Sequence, residues 1–137
     1  IATGGNSGVK YLIDEKRGAP VGHEYQVIDD AAHPDAAHGP KRQTGALYDA
    51  LPPVAAPVKP PGEINQSRIV IRGADVEHWL NGKRVVQYTL GSPELLVAKE
   101  ASKFRKEAHW GTKFATPILL QDHQDEVWYR NIRIRPL

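Results

Sequence analysis

The sequence predicts an all-β protein, an antiparallel sandwich with one short helix. Three observations favour this class: the β-branched and aromatic runs are short, glycine and proline separate them, and an Asn-Gly pair lies between two of them. Several short strands with turn signals between them are typical of a sandwich or barrel. The 137 residues suffice for one domain with a real core, so residues 1–137 are taken as a single domain.

Seven runs predict the strands, because they combine strand-forming residues with turn residues at their ends. In chain order they are Val9–Ile13, Glu24–Asp29, Arg68–Arg72, Val76–Leu80, Arg84–Tyr88, Pro117–Gln121 and Val127–Ile134. The pair Asn81-Gly82 predicts a tight hairpin turn with both central residues at positive φ. With the turn signal at residues 73–75, it predicts a three-stranded meander from Arg68 to Tyr88.

One helix is predicted after the meander. Ser92 can cap it, Pro93 suits the first helical position and apolar residues follow at helical spacing, so we expect a helix from about Pro93 to about Lys106. Between residues 30 and 61 the chain is rich in proline and alanine, which predicts a long loop. The apolar patch Thr44–Tyr48 indicates that this loop is ordered and docks on the domain.

Composition excludes several classes of function. The 18 lysines and arginines exceed the 16 acids by only two and are scattered, which argues against a nucleic-acid partner. The chain has no cysteine, so disulfides, thiol catalysis and zinc-thiolate sites are excluded. No apolar run approaches a membrane span, and residues 1–5 do not resemble a signal peptide. The lack of any methionine suggests a processed or truncated product.

Polar side chains interrupt two of the predicted strands. Glu24 and Gln26 project side by side on one face of their strand, which is either a solvated outer face or a functional one. His78 shares its face with apolar residues, so it is either a buried structural histidine or a base with a tuned pKa. Trp79, on the opposite face, could stack on a sugar or cover the core.

Gln121, Asp122 and His123 follow an apolar run, where a buried strand should end. A polar turn and a functional site are both open interpretations there. Three loop histidines lack partners at metal-ligand spacing and are predicted to be solvated. They are His33, His38 and His109. No Gly-x-Ser-x-Gly, phosphate loop, His-Glu-x-x-His or EF-hand pattern occurs.

Seven segments of the chain share a pattern with a known family. In chain order they are Gly5–Val9, Glu24–Asp29, Thr44–Tyr48, Lys59–Glu63, His78–Gly82, Leu120–His123 and Tyr129–Ile134. Together they resemble the 3-keto-disaccharide hydrolase family, long known only as a domain of unknown function. The resemblance implies a concanavalin-like or LamG-like jelly roll. That family normally carries further N-terminal strands, so we expect a fragment, or a sandwich that another segment, domain or subunit completes.

The resemblance implies an enzyme that cleaves 3-keto-glycosides. A ketone at sugar C3 acidifies the C2 proton, so a general base can remove it and the C1 substituent leaves by β-elimination; hydration then completes a net hydrolysis. His123 or His78 would be the base or acid, and Glu24 the partner carboxylate or a metal ligand. A divalent metal ion is possible, but its ligands are not identifiable. Substrate contacts are expected at Asn6, Gln26, Tyr48, Trp79, Gln121, Asp122 and Arg130.

Two other functions stay open. A jelly roll can bind glycans without cleaving them, in which case Trp79, Trp110 and Trp128 would matter more than the histidines. A structural or interaction domain of a larger secreted protein is the third interpretation. The resemblance also implies a 3-keto sugar or glycan as the partner and a periplasmic or secreted location.

Overall fold

Six short strands form two antiparallel sheets in the computed structural model, which describes residues 1–14, 20–112 and 115–137. The first sheet has the order β2-β1-β6 and the second the order β3-β4-β5. The strands are β1 (Asn6–Asp14), β2 (Val21–Ile28), β3 (Ser67–Arg72), β4 (Asp75–Leu80), β5 (Lys83–Thr89) and β6 (Leu119–Leu120). The all-β class predicted from the sequence is confirmed.

The pairing of β1 with β2 decides which side chains enter the core. Tyr11 lies opposite His23, and Lys10 lies opposite Glu24. Residues directly opposite in an antiparallel pair share a face, and successive residues alternate between faces. Tyr11 and His23 are buried in the core, so the lysine and the glutamate are on the outer face of the first sheet.

The core lies between the inner faces of the two sheets. Docked segments of the long loop and of the helix α1 (Pro93–Glu100) add to it. Its fully buried apolar residues include Tyr25, Leu47, Val76, Leu80 and Leu95.

Four polar side chains form a hydrogen-bonded chain through this core. His78 Nδ1 lies 2.9 Å from the Gly45 carbonyl oxygen, which can only accept, so Nδ1 carries the proton and Nε2 accepts from the Tyr11 hydroxyl. The Tyr11 oxygen then accepts from Tyr88 at 2.9 Å, and the Tyr88 oxygen accepts from His23 Nδ1 at 2.6 Å. The position of each proton in this hydrogen-bonded series is therefore assigned. Every bond in it is donated in the same direction, from His23 through Tyr88 and Tyr11 to His78 and the Gly45 carbonyl.

The local turn and loop predictions are confirmed. Asn81 and Gly82 have φ values of 49° and 82°, as a tight hairpin turn requires. The meander of β3, β4 and β5 follows from it. The long loop docks through Ala46 and Leu47, which are fully buried.

The predicted helix is too long, because α1 ends at Glu100. The Ser102 hydroxyl donates to the Lys99 carbonyl and accepts from the Phe104 N–H. These bonds close the helix and begin a separate 3-10 turn, Lys103–Lys106. No helix in the described ranges is long and apolar enough to cross a membrane.

The predicted last strand, Val127–Ile134, is wrong: residues 127–134 join no ladder within the part of the chain that the structure describes. A strand needs a neighbour that pairs its N–H and C=O groups, and the sequence pattern alone does not supply one. Ile132 and Ile134 are accordingly exposed. The strand predicted at Pro117–Gln121 is reduced to β6, which pairs with β1.

We expect Tyr88→Phe to lower the free energy of unfolding by about 1–3 kcal/mol, because it leaves His23 Nδ1–H without its acceptor and Tyr11 without its donor. Urea denaturation measures the effect. The control is Gln87→Ala, at an exposed position of the same strand, which should change stability by less than about 0.5 kcal/mol. A Tyr88→Phe effect no larger than the control's would contradict the assigned chain.

Stability should fall as the pH falls from about 7 towards about 4. Burial lowers the pKa of His78 to about 4, and burial together with the charge of His78 lowers the pKa of His23 to about 3. The unfolded chain, with a histidine pKa of about 6.5, therefore binds protons that the folded chain does not. Glu24, whose pKa burial raises, acts in the opposite direction.

Urea denaturation at several pH values measures this slope. The control is His38→Gln, which removes an imidazole at an exposed position. A profile that shows no decrease towards acid, also in a Glu24→Gln background that removes the opposing group, would contradict the lowered pKa values of the two buried histidines.

Candidate active site

A cleft of about 300 Å³ opens beside β1 and β2, next to the outward-facing Glu24. Four charged residues contribute to its lining: Lys10, Glu24, Lys103 and Glu107. The first two come from the paired strands, and the other two from the 3-10 turn after α1 and the residue that follows it. The strand pair and a turn about 80 residues further along the chain thus place two acids and two amines around one opening.

Glu24 is almost completely buried although it carries a carboxylate. Its side chain lies across Gly8, where an added Cβ would collide with Oε1 and come within 2.9 Å of Cγ. Lys10 Nζ lies 3.6 Å from Oε2, and the Gln26 amide nitrogen lies 3.3 Å from Oε1 in the orientation that gives both ends of the amide a partner. Burial raises the pKa of Glu24, and the charges of Lys10 and Lys103 oppose this rise.

His123 lies on the exposed side of the same region, close enough for its charge to act on Glu24. About half of its side chain is exposed, and its Nδ1 lies 3.7 Å from Asp125 Oδ2. That carboxylate also accepts the backbone N–H of Asn6 at 3.0 Å. The acid thus fixes the turn that carries the histidine to the start of β1.

Several predicted substrate contacts lie near Glu24. The buried amides of Asn6 and Gln26 face each other at 3.3 Å on the same face of the sheet. Tyr48 donates its backbone N–H to the Glu24 carbonyl, and its ring lies 4.0 Å from Lys103 Nζ.

Three further predicted substrate contacts follow β6 along the chain. The backbone of Gln121 donates to the Gly8 carbonyl and accepts from the Ser7 hydroxyl, both in β1, and the residue is half-buried. Asp122 accepts the N–H of Gln124 in an exposed turn, and Arg130 is exposed.

The structure places His78 and Trp79 away from the cleft. His78 is fully buried and both of its ring nitrogens are hydrogen-bonded in the core, which favours the structural interpretation over the catalytic one. Trp79 is on the outer face of the second sheet, where its Nε1 donates to Glu77 and Arg68 covers its ring at 4.3 Å. Neither side chain shares a surface with Glu24.

Sequence reasoning missed Lys10, Lys103 and Gly8. The lysine and the glycine of β1 matter only because the register sets them opposite Glu24 and Gln26. Lys103 was predicted within the helix, where nothing indicated a site. A signal for Gly8 did exist, since a glycine inside a strand often marks the close approach of another group.

Three residues could be considered as metal ligands: His33, His123 and Asp125 have ligand-type atoms within 4.8 Å of one another. Two imidazoles and a carboxylate suit a first-row transition metal. However, His33 Nδ1 accepts the N–H of Asp35 at 3.0 Å, so the ring proton is on Nε2. Coordination through either nitrogen would break that hydrogen bond. This donor set therefore fits a metal poorly.

A comparison with family models decides the family. Residues 1–135 match the model described as a 3-keto-alpha-glucoside-1,2-lyase-like domain. The chain belongs to this family. A curated relative, the 3-keto-disaccharide hydrolase of Bacteroides thetaiotaomicron, is 36% identical over 162 residues, which cover 100% of this chain and 56% of the relative.

Solved structures agree with this family. A crystal structure from Parabacteroides distasonis, described as a candidate glycosyl hydrolase, is 32% identical, with a TM-score of 0.71 over 81% of this chain and 54% of that one. A second structure of the same description and organism is 36% identical, with a TM-score of 0.56 over 65% of this chain and 46% of that one. The chain thus spans about half the length of the relatives it matches.

Gly8→Ala should move the Glu24 carboxyl group while leaving the fold intact, because the atoms nearest to the added Cβ all belong to that side chain and none to the backbone. Stability should change by less than about 1 kcal/mol. Once displaced from its buried position, the carboxyl group should titrate at a lower pKa. Carbon-13 NMR measures this titration, with Glu24→Gln identifying the signal; an unchanged titration would contradict the close approach.

Proposed function

We propose that this chain forms the cleft of an enzyme that cleaves 3-keto-glycosides, with Glu24 as the general base. The main support for this proposal is the buried carboxylate of Glu24, which lies beside two lysines in a cleft on the outer face of the first sheet. A buried carboxylate with a raised pKa is a stronger base than an exposed one, and enzymes tune glutamate in this way. A periplasmic or secreted location belongs to the same proposal.

The proposed substrate is a glucoside oxidised at C3. The family description names a 3-keto-alpha-glucoside, and the Bacteroides relative is named for a 3-keto-disaccharide. The charged groups of Lys10, Glu24 and Lys103 that line the cleft can hydrogen-bond to sugar hydroxyl groups, and the buried amides of Asn6 and Gln26 lie behind Glu24.

The reaction begins when Glu24 removes the C2 proton and the C–H electrons form an enolate with its charge on the C3 oxygen. When the enolate collapses, the C3 carbonyl forms again and the electrons of C2=C3 form the C1=C2 double bond. The bond from C1 to the aglycone oxygen then breaks, and this oxygen takes a proton. His123 is the proposed donor, since it lies on the exposed side of the region near Glu24. Water then adds across C1=C2, which makes the overall change a hydrolysis.

Lys10 has a separate part in this scheme. Its ammonium group, 3.6 Å from Glu24 Oε2, favours the ionised carboxylate that burial disfavours. Lys10 thus opposes the effect of burial on the pKa of Glu24.

Glu24→Gln should lower kcat for a 3-keto-glucoside about 10²–10⁴-fold, because the amide is nearly isosteric but cannot take the proton. Release of the aglycone by the purified chain measures the rate. The matched control is Glu63→Gln, an exposed acid in the long loop, which should retain full activity. A Glu24→Gln enzyme as active as this control would remove Glu24 from the mechanism.

The isotope content of the product tests elimination against direct displacement. In D₂O, elimination followed by hydration places deuterium at C2 of the released 3-keto sugar, whereas displacement at C1 leaves the original hydrogen there. Early time points exclude later exchange. A parallel assay with the unoxidised glucoside should give no cleavage; tight binding of plain glycans without any turnover would instead support a binding module.

A further inference from the structure

Lys103 has no part in the mechanism so far, although it lines the same cleft as Glu24. The following inference rests on the proposed function and assigns a role to this residue. The two charges are close enough to influence each other, since the charge of Lys103 lowers the pKa of Glu24.

The local structure holds Lys103 in place from two sides. Its backbone N–H donates to Asp49 Oδ2 at 2.7 Å, which ties the start of the 3-10 turn to the long loop. Its Nζ lies 4.0 Å from the centroid of the Tyr48 ring, a cation–π distance. The side chain lines the cleft and is exposed overall, and its partial desolvation there lowers its pKa.

The two lysines of the cleft are not equivalent. Lys10 is engaged with the Glu24 carboxylate at 3.6 Å. Lys103 Nζ has no carboxylate within 4.0 Å among residues 1–14, 20–112 and 115–137, and its contacts there are with the rings of Tyr48 and Phe104. Its N–H groups therefore remain available to a ligand.

The proposed reaction needs such a donor. When the C2 proton passes to Glu24, a full negative charge develops on the C3 oxygen, and a fixed positive donor stabilises that charge more than it stabilises the neutral ketone. We infer that the Lys103 ammonium group is this donor, hydrogen-bonded to the C3 oxygen of a 3-keto sugar as the enolate forms. The lysine forms no covalent bond and transfers no proton, so the bond changes of the elimination are the same with or without it.

Two variants test the assignment kinetically. Lys103→Met keeps the length of the stem but removes the charge, and should lower kcat about 10²–10³-fold with a much smaller change in KM. Lys103→Arg keeps a cationic donor and should recover part of the loss. Lys106→Met, an exposed lysine of the same turn, is the matched control and should be unchanged. A kcat for Lys103→Met within about threefold of the wild type would overturn the assignment.

A binding measurement separates this inference from the proposed function. Reductic acid, a small cyclic enediol whose anion imitates the enolate, should bind the wild type at least tenfold more tightly than Lys103→Met, by isothermal titration calorimetry. If the wild type cleaves no 3-keto-glucoside but shows this difference, the proposed function fails and the oxyanion site stands. If both proteins bind the enediolate equally, the Lys103 assignment fails even where the wild type is active.

Discussion

The register between β1 and β2 is the constraint on which the rest of the structure depends. It sets Tyr11 opposite His23 and Lys10 opposite Glu24, so the same ladder supplies one pair to the core and the other to the cleft. A slip by a single residue would exchange the two faces of the moving strand. The glutamate would then enter the core as an unpaired charge, which is costly.

The cleft combines opposing electrostatic effects on one carboxylate. Burial favours the protonated form of Glu24, and the nearby lysines favour the ionised form. Gly8 allows this balance, because the absence of a side chain there leaves room for the carboxylate beside β1.

The sequence predicts what depends on neighbouring residues along the chain. Alternation correctly places Glu24 and Gln26 on one face, and Asn81-Gly82 specifies its hairpin through φ values that few residue pairs accept. Pairing between distant segments is not encoded in this local way. The register that brings in Lys10, and the absence of a ladder at residues 127–134, therefore could not be predicted.

The one-way hydrogen-bonded chain through the core has a consequence for how this family can change during evolution. His23 is the first donor, so its replacement leaves only an acceptor lone pair on Tyr88 without a partner. Replacement of Tyr11 leaves two groups without a partner, the hydroxyl proton of Tyr88 and the acceptor Nε2 of His78. Homologues should therefore exchange these residues for apolar ones in a fixed order, beginning at the histidine of β2 and reaching the histidine of β4 last.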